Sequence, residues 1–244
     1  MFTAKLAVVM PVYNEGQIIA HVIDKWTREL LRLGIDFEIH AYNDGSKDNT
    51  LFILTELTNQ NQHLNIHNKK NSGHGPTLVQ AYRENSDCEW IFQIDSDDEI
   101  GTEGFEELWR NRGPFDFLIG RRTRQDQPWI RRLVSSVSRV TVRTLYGDRV
   151  DDVNSPYRLM KTSIFKKLFF ALPDDMFAPN VVISGAVSRM KIPIYEIPVR
   201  QHPRSSGEVS IKKLKLLKAV VKSLYQTFVF RFKLAGVLHK SAAL

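Results

Sequence analysis

Residues 90–99 read Trp90-Ile91-Phe92-Gln93-Ile94-Asp95-Ser96-Asp97-Asp98-Glu99, where a short apolar run ends in four acids within five residues. Such a run between polar segments is typical of a buried strand. Carboxylates this close repel one another, so the cluster raises the pKa of some members or recruits a cation. Mg²⁺ or Mn²⁺ would suit it, because these hard ions prefer carboxylate oxygens and share them with substrate phosphates. An acidic turn capping the helix predicted near Thr102 explains the cluster equally well.

The rest of the chain alternates apolar runs with amphipathic stretches, which predicts an α/β fold with a mainly parallel sheet. The predicted strands cover residues 6–10, 37–42, 64–67, 90–94, 117–119, 157–160 and 192–197. The predicted helices cover residues 17–33, 49–58, 76–83, 103–110, 133–146, 164–170 and 181–190. No linker interrupts this pattern, so we expect one catalytic domain over residues 1–210 and a basic amphipathic helical tail over 211–244.

Polar or glycine-containing turns follow three other predicted strands. They read Val8-Val9-Met10-Pro11-Val12-Tyr13-Asn14-Glu15, Ala41-Tyr42-Asn43-Asp44-Gly45-Ser46-Lys47-Asp48 and Asn71-Ser72-Gly73-His74-Gly75. Because parallel strands place their carboxyl ends at one edge of the sheet, these turns are expected beside Asp95. Each also has a plainer explanation, with Asp48 as a helix N-cap, Gly45 as a turn residue and the two later glycines in a flexible loop.

Together these motifs resemble glycosyltransferase family 2, over roughly the first 210 residues. Within that family the sequence is most similar to the polyprenyl-phosphate sugar transferases typified by dolichyl-phosphate mannose synthase. The resemblance implies a GT-A fold, with a Rossmann-like nucleotide-binding half and an acceptor-binding half. The sequence departs from the family pattern at Asn43, where an Asp is usual, and at His74, where a Lys is common.

The resemblance also implies site residues. Those implied for the nucleotide sugar are Pro11, Tyr13, Glu15, Tyr42, Asp44, Asp95, Ser96, Arg204 and Lys212. Those implied for a Mg²⁺ or Mn²⁺ ion are Asp95, Asp97 and Glu99. The segment around Arg122 resembles a family motif that faces a phosphate of donor or acceptor, and the Arg204 loop resembles one that closes over the diphosphate. Arg158 lies in a segment similar to the acceptor side, although an ion pair with Asp151 or Asp152 is an equally good explanation.

The reaction implied is an inverting in-line transfer of a sugar from a UDP- or GDP-sugar, with Asp97, Arg122 and Arg204 at the reacting centre. A polyprenyl phosphate acceptor is already anionic and needs no base. A sugar hydroxyl acceptor would need one, for which Asp174 and Asp175 are the nearest candidates, unless they are only a solvated pair beside a helix. A sugar-nucleotide nucleotidyltransferase is a weaker alternative, since no glycine-rich phosphate loop follows the first strand. A non-catalytic binding module would leave the acids at 95–99 unexplained.

Charge distribution and cysteine content limit the possible partners and the cellular compartment. The net charge is +7, but ten Lys/Arg and one Glu from Arg200 onward leave 24 basic against 26 acidic residues before it. This concentration in the tail argues against nucleic acid as a partner. The single cysteine, Cys88, excludes an internal disulfide, and no secretory signal is recognisable at the N-terminus. We therefore expect a cytoplasmic protein.

The tail has the pattern of a basic amphipathic helix. Its apolar residues recur at three- and four-residue steps, namely Ile211, Leu214, Leu217, Val221, Leu224 and Phe228, with lysines largely on other faces. This pattern predicts a helix lying on the cytoplasmic face of a membrane, peripheral to it because no stretch is long and uncharged enough to span. A surface helix packed on the catalytic domain is the alternative.

Overall fold

The computed structural model describes residues 5–123, 129–202 and 213–239. Its strands are β1 (Leu6–Val12), β2 (Phe37–Asp44), β3 (Leu64–Lys69), β4 (Trp90–Gln93), β5 (Phe117–Arg122), β6 (Arg158–Lys161) and β7 (Ile194–Val199). Its helices are α1 (Ile19–Arg32), α2 (Thr50–Thr58), α3 (His74–Glu84), α4 (Phe105–Arg110), α5 (Trp129–Tyr146), α6 (Thr162–Ala171), α7 (Pro179–Met190) and α8 (Lys213–His239).

The seven strands form a single sheet in the order β3-β2-β1-β4-β6-β5-β7. Strand β6 runs antiparallel to both of its neighbours, and every other pairing is parallel. The predicted α/β class and the mainly parallel sheet are therefore confirmed. The carboxyl ends of β1, β2 and β4 lie side by side, which brings the loop after β4 next to the turns after the other two strands.

Strand β1 is buried along its whole length because helices cover both faces of the sheet. Its alternate side chains feed two separate hydrophobic clusters. Ala7 and Val9 pack toward α3, α5, α6 and α7, whereas Leu6, Val8 and Met10 pack toward α1, α2 and α4. Double-sided burial explains why the strand is a continuous apolar run instead of an alternating one.

Helix α8 packs on α5, α6 and α7 through one of its faces. Thr227, Phe230 and Leu234 are buried there. The Tyr146 hydroxyl donates a hydrogen bond of 2.6 Å to the Thr227 carbonyl, and Arg231 Nε donates one of 2.6 Å to the Leu145 carbonyl. The described part of the tail is therefore a helix docked on the domain.

Over residues 220–234, α8 exposes a row of large apolar side chains that includes Val221 and Phe228 from the predicted apolar face. Val221, Tyr225, Phe228 and Phe232 are between 50% and 67% exposed and recur at steps of four, three and four residues, which makes a straight row along the helix. Leu224 is partly buried, and its place in the predicted membrane-facing side stays a prediction. Ile211, the side chains of Leu214 and Leu217 and the predicted domain boundary lie outside what the structure describes. None of the helices in the described ranges is both long and apolar enough to cross a membrane.

Candidate active site

The acidic loop after β4 forms one wall of a pocket. Asp95, Asp97 and Glu99 line this pocket together with Arg122 and Gln201. The loop is held internally, because the Glu99 amide donates 3.2 Å to Asp97 Oδ1, and externally, because the Glu99 carbonyl accepts from the His202 amide at 2.7 Å. Three acids of the cluster thus converge on the same space, as the sequence predicted. The fourth, Asp98, does not line it.

Asp95 is surrounded by positive groups. His74 Nε2, at the start of α3, lies 3.2 Å from Asp95 Oδ1. Burial alone would raise the pKa of Asp95, but the contact with His74 and the nearby charge of Arg122 hold it below its ordinary value. Asp95 is therefore an anion at neutral pH, which is the form that a cation requires. His74, at the position where a Lys is common in the family, thus contacts Asp95 directly.

Arg122 is fixed by a two-pronged ion pair with Asp152. Its Nε and Nη2 donate to the two Asp152 oxygens at 2.8 and 2.9 Å, and its backbone amide donates to Asp152 Oδ2 at 3.2 Å. Burial alone would raise the pKa of Asp152, but Arg122 lowers it below its ordinary value. The preceding Gly120 lets the strand approach its neighbours, since a Cβ there would lie 2.7 Å from Val199 Cγ1 and 2.8 Å from Tyr157 Cδ1.

Arg158 has neither of the roles considered from the sequence. It is fully buried, and its guanidinium donates to backbone carbonyls, with Nη2 at 2.6 Å from Ser155 O and Nη1 at 3.1 Å from Asn180 O. These bonds tie the loop before β6 to the start of α7. Arg158 is a structural residue that satisfies buried carbonyl groups.

The turns after β1 and β2 are hydrogen-bonded to each other. The Asn14 amide donates 2.9 Å to Ser46 Oγ, and the Lys47 amide donates 2.8 Å to Asn14 Oδ1. Asn14 adopts a φ of 55°, a left-handed conformation that asparagine tolerates better than most residues. Pro11 and Glu15 are buried around this turn and Tyr13 is half-buried, so Tyr13 presents the most surface of the three to a ligand.

Asp44 is occupied by the protein itself. Its carboxylate accepts from Lys69 Nζ at 2.5 Å and from the amides of Ser72 and Gly73, each at 2.8 Å. Burial would raise the pKa of Asp44, but these donors lower it below its ordinary value. The Asp44 carboxylate therefore shapes the turn that leads to His74, and its contact with the nucleoside stays a prediction. Sequence reasoning missed Lys69, which pairs with Asp44 from the neighbouring strand.

Tyr42 does not reach the edge of the sheet. Its ring is buried and stacks on His67 at 4.1 Å, and its hydroxyl donates 2.8 Å to Glu84 Oε2 at the far end of α3. Strand alternation turns this side chain under α3, and its contact with the nucleoside stays a prediction. Ser96 is also buried.

The start of α3 is pressed against the segment before α7. A Cβ at Gly75 would lie 2.2 Å from the Met176 carbonyl oxygen and 2.3 Å from that of Phe177. Only glycine fits this approach without moving the backbone. The close contact places His74 and the segment before α7 next to each other at the site.

We expect Gly75→Ala to destabilise the fold by about 1–3 kcal/mol, although alanine is the better helix former by about 1 kcal/mol. The clash is with backbone oxygens, which cannot swing aside, so it outweighs the propensity. Gly113→Ala is the control, because nothing lies within 4 Å of a Cβ at Gly113. Urea unfolding of the two variants measures the difference, and equal stabilities would show that the segment before α7 yields freely.

Asp174 and Asp175 are engaged in ion pairs outside the pocket of Asp95. Asp174 is 90% exposed and pairs with Arg83, which also donates to the Leu172 carbonyl at the end of α6. Asp175 Oδ2 lies 3.0 Å from Lys222 Nζ on α8. Neither lines the pocket of Asp95, so the structure does not support the predicted base role. Arg204 and Lys212 lie outside the described residues.

A second, open groove shares Arg122 with the pocket of Asp95. It encloses ≈ 780 Å³ and is lined by Arg121, Arg122, Arg139 and Arg200, with Asp151 as the acid among them. Arg139 Nε donates 2.8 Å to the Asp151 carbonyl, and Arg121 Nη1 lies 3.6 Å from Asp151 Oδ2. The positive charge exceeds the negative, which favours an anionic ligand. Sequence reasoning missed this arginine groove because its members come from β5, α5 and the end of β7.

Comparison with known proteins agrees with this architecture. Residues 7–170, more than half of the chain, match the family described as glycosyl transferase family 2. The chain belongs to glycosyltransferase family 2. It is a glycosyltransferase that uses nucleotide sugars.

Solved structures of three other proteins have a similar fold. Glucosyl-3-phosphoglycerate synthase from Mycobacterium tuberculosis, solved with Mn²⁺, UDP and glucosyl-3-phosphoglycerate, is 15% identical with a TM-score of 0.64, over 93% of this chain and 80% of that one. Mannosyl-3-phosphoglycerate synthase from Rubrobacter xylanophilus is 10% identical with a TM-score of 0.67, over 92% and 73%. TarS (1–349) from S. aureus is 16% identical with a TM-score of 0.58, over 93% and 72%. At these identities the likeness shows the GT-A fold alone.

Proposed function

We propose that this family 2 glycosyltransferase moves a sugar from a nucleoside-diphosphate donor to an acceptor that carries a phosphate, with polyprenyl phosphate as that acceptor. The main support is Arg122, which lines both the acidic pocket of Asp95 and Asp97 and the arginine groove. The acidic pocket suits a divalent cation and the diphosphate of the donor. The arginine groove suits an anionic acceptor close to that diphosphate.

A Mg²⁺ or Mn²⁺ ion fits the acidic pocket as a partial site. Asp95, Asp97 and Glu99 offer carboxylate oxygens there, yet within the described ranges no three acidic, histidine or cysteine side chains already stand at ligand spacing. This suits an ion that is bound by one or two carboxylates and completed by substrate phosphates. When bound, the ion would neutralise charge that develops on the departing diphosphate. The Mycobacterium tuberculosis enzyme with the same fold was solved with Mn²⁺ and UDP.

The chain's own residues would do the remaining work. Tyr13 and the cross-linked turns after β1 and β2 would hold the nucleoside, with Pro11 and Glu15 behind them. Arg122, fixed by Asp152, would face the phosphates with its charge already oriented. Arg204 and Lys212 are proposed to add positive charge from the segment that follows β7. The displacement would be in line at the anomeric carbon and would invert its configuration.

The acceptor needs no general base if it is a phosphate. Its oxygen is already anionic, and the arginine groove would hold it by charge-assisted hydrogen bonds. A sugar hydroxyl acceptor would need a carboxylate base, but Asp174 and Asp175 are paired with Arg83 and Lys222 and do not line the pocket. 3-Phosphoglycerate, which appears in the names of two enzymes with this fold, is a water-soluble anion with a phosphate. It also has a hydroxyl group, and transfer to that hydroxyl would need a base.

The test compares these acceptors directly. Purified protein is incubated with UDP- or GDP-sugars and either polyprenyl phosphate in vesicles, 3-phosphoglycerate or a neutral oligosaccharide, with and without EDTA. We expect metal-dependent transfer to polyprenyl phosphate. Transfer to 3-phosphoglycerate alone would keep the anionic acceptor and exclude the lipid. Transfer to the neutral sugar alone would overturn the proposal, and release of diphosphate from a nucleoside triphosphate and a sugar phosphate would indicate a nucleotidyltransferase.

A lipid acceptor also requires access to a membrane, and we propose that α8 provides it by lying peripherally on the cytoplasmic face. Its exposed row of Val221, Tyr225, Phe228 and Phe232 combines apolar and aromatic side chains, and Lys222 and Lys233 lie exposed beside it. Soluble proteins rarely expose a contiguous apolar row of this kind unless it binds a membrane or another molecule. Aromatic residues with lysines at their sides suit the headgroup layer of an anionic bilayer.

We expect the triple variant Tyr225→Ser, Phe228→Ser and Phe232→Ser to lose salt-resistant sedimentation with phosphatidylglycerol vesicles, while keeping its melting temperature and its metal-dependent hydrolysis of the donor. The side chains are exposed, so their loss removes membrane contacts and few internal ones. Leu31→Ser with Phe52→Ser is the matched control, because both side chains are exposed on helices away from α8. Undiminished sedimentation of the triple variant would contradict the proposal.

A further inference from the structure

The fourth acid of the loop, Asp98, is bound to helix α1 instead of facing the pocket. Its Oδ1 accepts from Lys25 Nζ at 3.1 Å, and its Oδ2 lies 3.8 Å from His21 Nε2. Both Lys25 and Asp98 are largely withdrawn from water, with side chains 26% and 20% exposed. Asp98 also has a φ of 53°, in the left-handed region, which non-glycine residues adopt when their surroundings hold them there.

Helix α1 is a firm anchor for this contact. Trp26, next to Lys25, is buried and packs against Phe92 of β4 at 5.3 Å and against Phe105 of α4 at 5.7 Å. The same strand, β4, leads into the acidic loop. The packing of Trp26 therefore fixes the position of Lys25 relative to the start of the acidic loop. The Lys25 ammonium group in turn holds the Asp98 carboxylate.

The position of Asp98 sets the direction of its neighbours. Asp97 and Glu99 face the pocket, whereas Asp98 between them faces α1. From this geometry we infer that Lys25 is a positioning residue, which keeps Asp98 out of the metal site and so aims Asp97 and Glu99 into it. The inference rests on the proposed metal role of the acidic pocket.

The direction in which metal affinity changes when Lys25 is replaced distinguishes a purely electrostatic role from a positioning role. Removing a positive charge near a cation site strengthens cation binding by simple Coulomb attraction. Removing a side chain that orients the ligands weakens metal binding, by about tenfold in comparable sites. The two accounts of Lys25 therefore predict opposite changes.

The experiment measures Mn²⁺ binding to the full chain in the presence of UDP, from the electron paramagnetic resonance signal of free Mn²⁺. We expect Lys25→Met to weaken binding about tenfold, and Lys25→Arg, which keeps the charge, to restore most of it. Turnover at saturating Mn²⁺ should change far less than the Mn²⁺ concentration needed for half-maximal rate. Arg28→Met is the matched control, because Arg28 pairs at 2.9 Å with Asp24 on the exposed side of the same helix.

The outcomes separate this inference from the function it rests on. Unchanged or tighter Mn²⁺ binding by folded Lys25→Met, beside normal binding by the wild type, overturns the positioning role and leaves the metal site standing. A wild type that binds no Mn²⁺ with UDP overturns both. Should Lys25→Met fail to fold, Asp98→Ala removes the same contact from the other partner and must weaken Mn²⁺ binding, while Asp98→Asn, which keeps an acceptor oxygen and tolerates the left-handed conformation, must not.

Discussion

Replacing Asp97 by Asn is expected to lower the rate of sugar transfer by about a hundredfold or more, which corresponds to about 3 kcal/mol of lost transition-state stabilisation. Asp97 lines the acidic pocket at the end of β4 and is not part of either hydrophobic cluster. The change keeps the size of the side chain and removes the charge that a divalent ion requires. The fold should therefore survive while the reaction does not.

Steady-state rates with the donor and polyprenyl phosphate, and urea unfolding in parallel, measure the two effects. Asp174→Asn is the matched control, since it neutralises an exposed acid that pairs with Arg83. We expect it to retain most of the activity. If Asp174→Asn were as damaging as Asp97→Asn, a base would be needed and the hydroxyl acceptor would become the better account. Full turnover of the wild type in EDTA would refute the metal role of Asp97 outright.

Replacing Asp152 by Asn is expected to destabilise the fold by about 3 kcal/mol, because it leaves the Arg122 guanidinium partly buried without its counter-ion. The side chains of Arg122 and Asp152 are only 18% and 9% exposed. Since Arg122 holds the pKa of Asp152 below its ordinary value of 3.8, the contribution is present at neutral pH and is lost as the pH falls below that value. Turnover should fall as well, because Arg122 loses its fixed orientation.

Urea unfolding at pH 7 tests the stability change, and Asp87→Asn is the control. Asp87 pairs at 2.6 Å with Lys166, but its side chain is 75% exposed, so that pair is screened by water and its loss should cost less than about 1 kcal/mol. Equal losses in the two variants would mean that burial does not strengthen the Arg122 pair. Normal turnover by a stable Asp152→Asn would mean that Arg122 does not face the phosphates.

Much of the fold could be predicted because local patterns reflect double-sided burial. The continuous apolar runs at β1 and β4 predicted strands of a parallel sheet that is covered by helices on both faces, and the structure has such a sheet. The orientation of β6 could not be predicted, since an apolar run reads the same for a parallel and an antiparallel strand. The strand lies between β4 and β5 and opposes both, because the chain enters it from the opposite end of the sheet.

The candidate site divides in the same way. The convergence of Asp95, Asp97 and Glu99 followed from an abrupt run of acids at a strand end, because the carboxyl ends of parallel strands share one edge. The internal hydrogen-bond partners of Tyr42 and Asp44 did not follow from the sequence. Strand position brings a residue to the edge, but the neighbouring helix and strand decide whether its side chain is buried or already bonded.

The α/β class, the family and the acidic loop could be recognised without a structure, because each depends on short contiguous patterns. The partner of Asp98 and the arginine groove became visible only in the folded chain. Lys25 is 73 residues away from Asp98, and the members of the groove come from three separate elements. The folded chain also decided which face of α8 remains exposed. Contacts between distant segments depend on how the helices pack on the sheet. That packing involves the whole chain, so the local periodicity of apolar residues does not predict it.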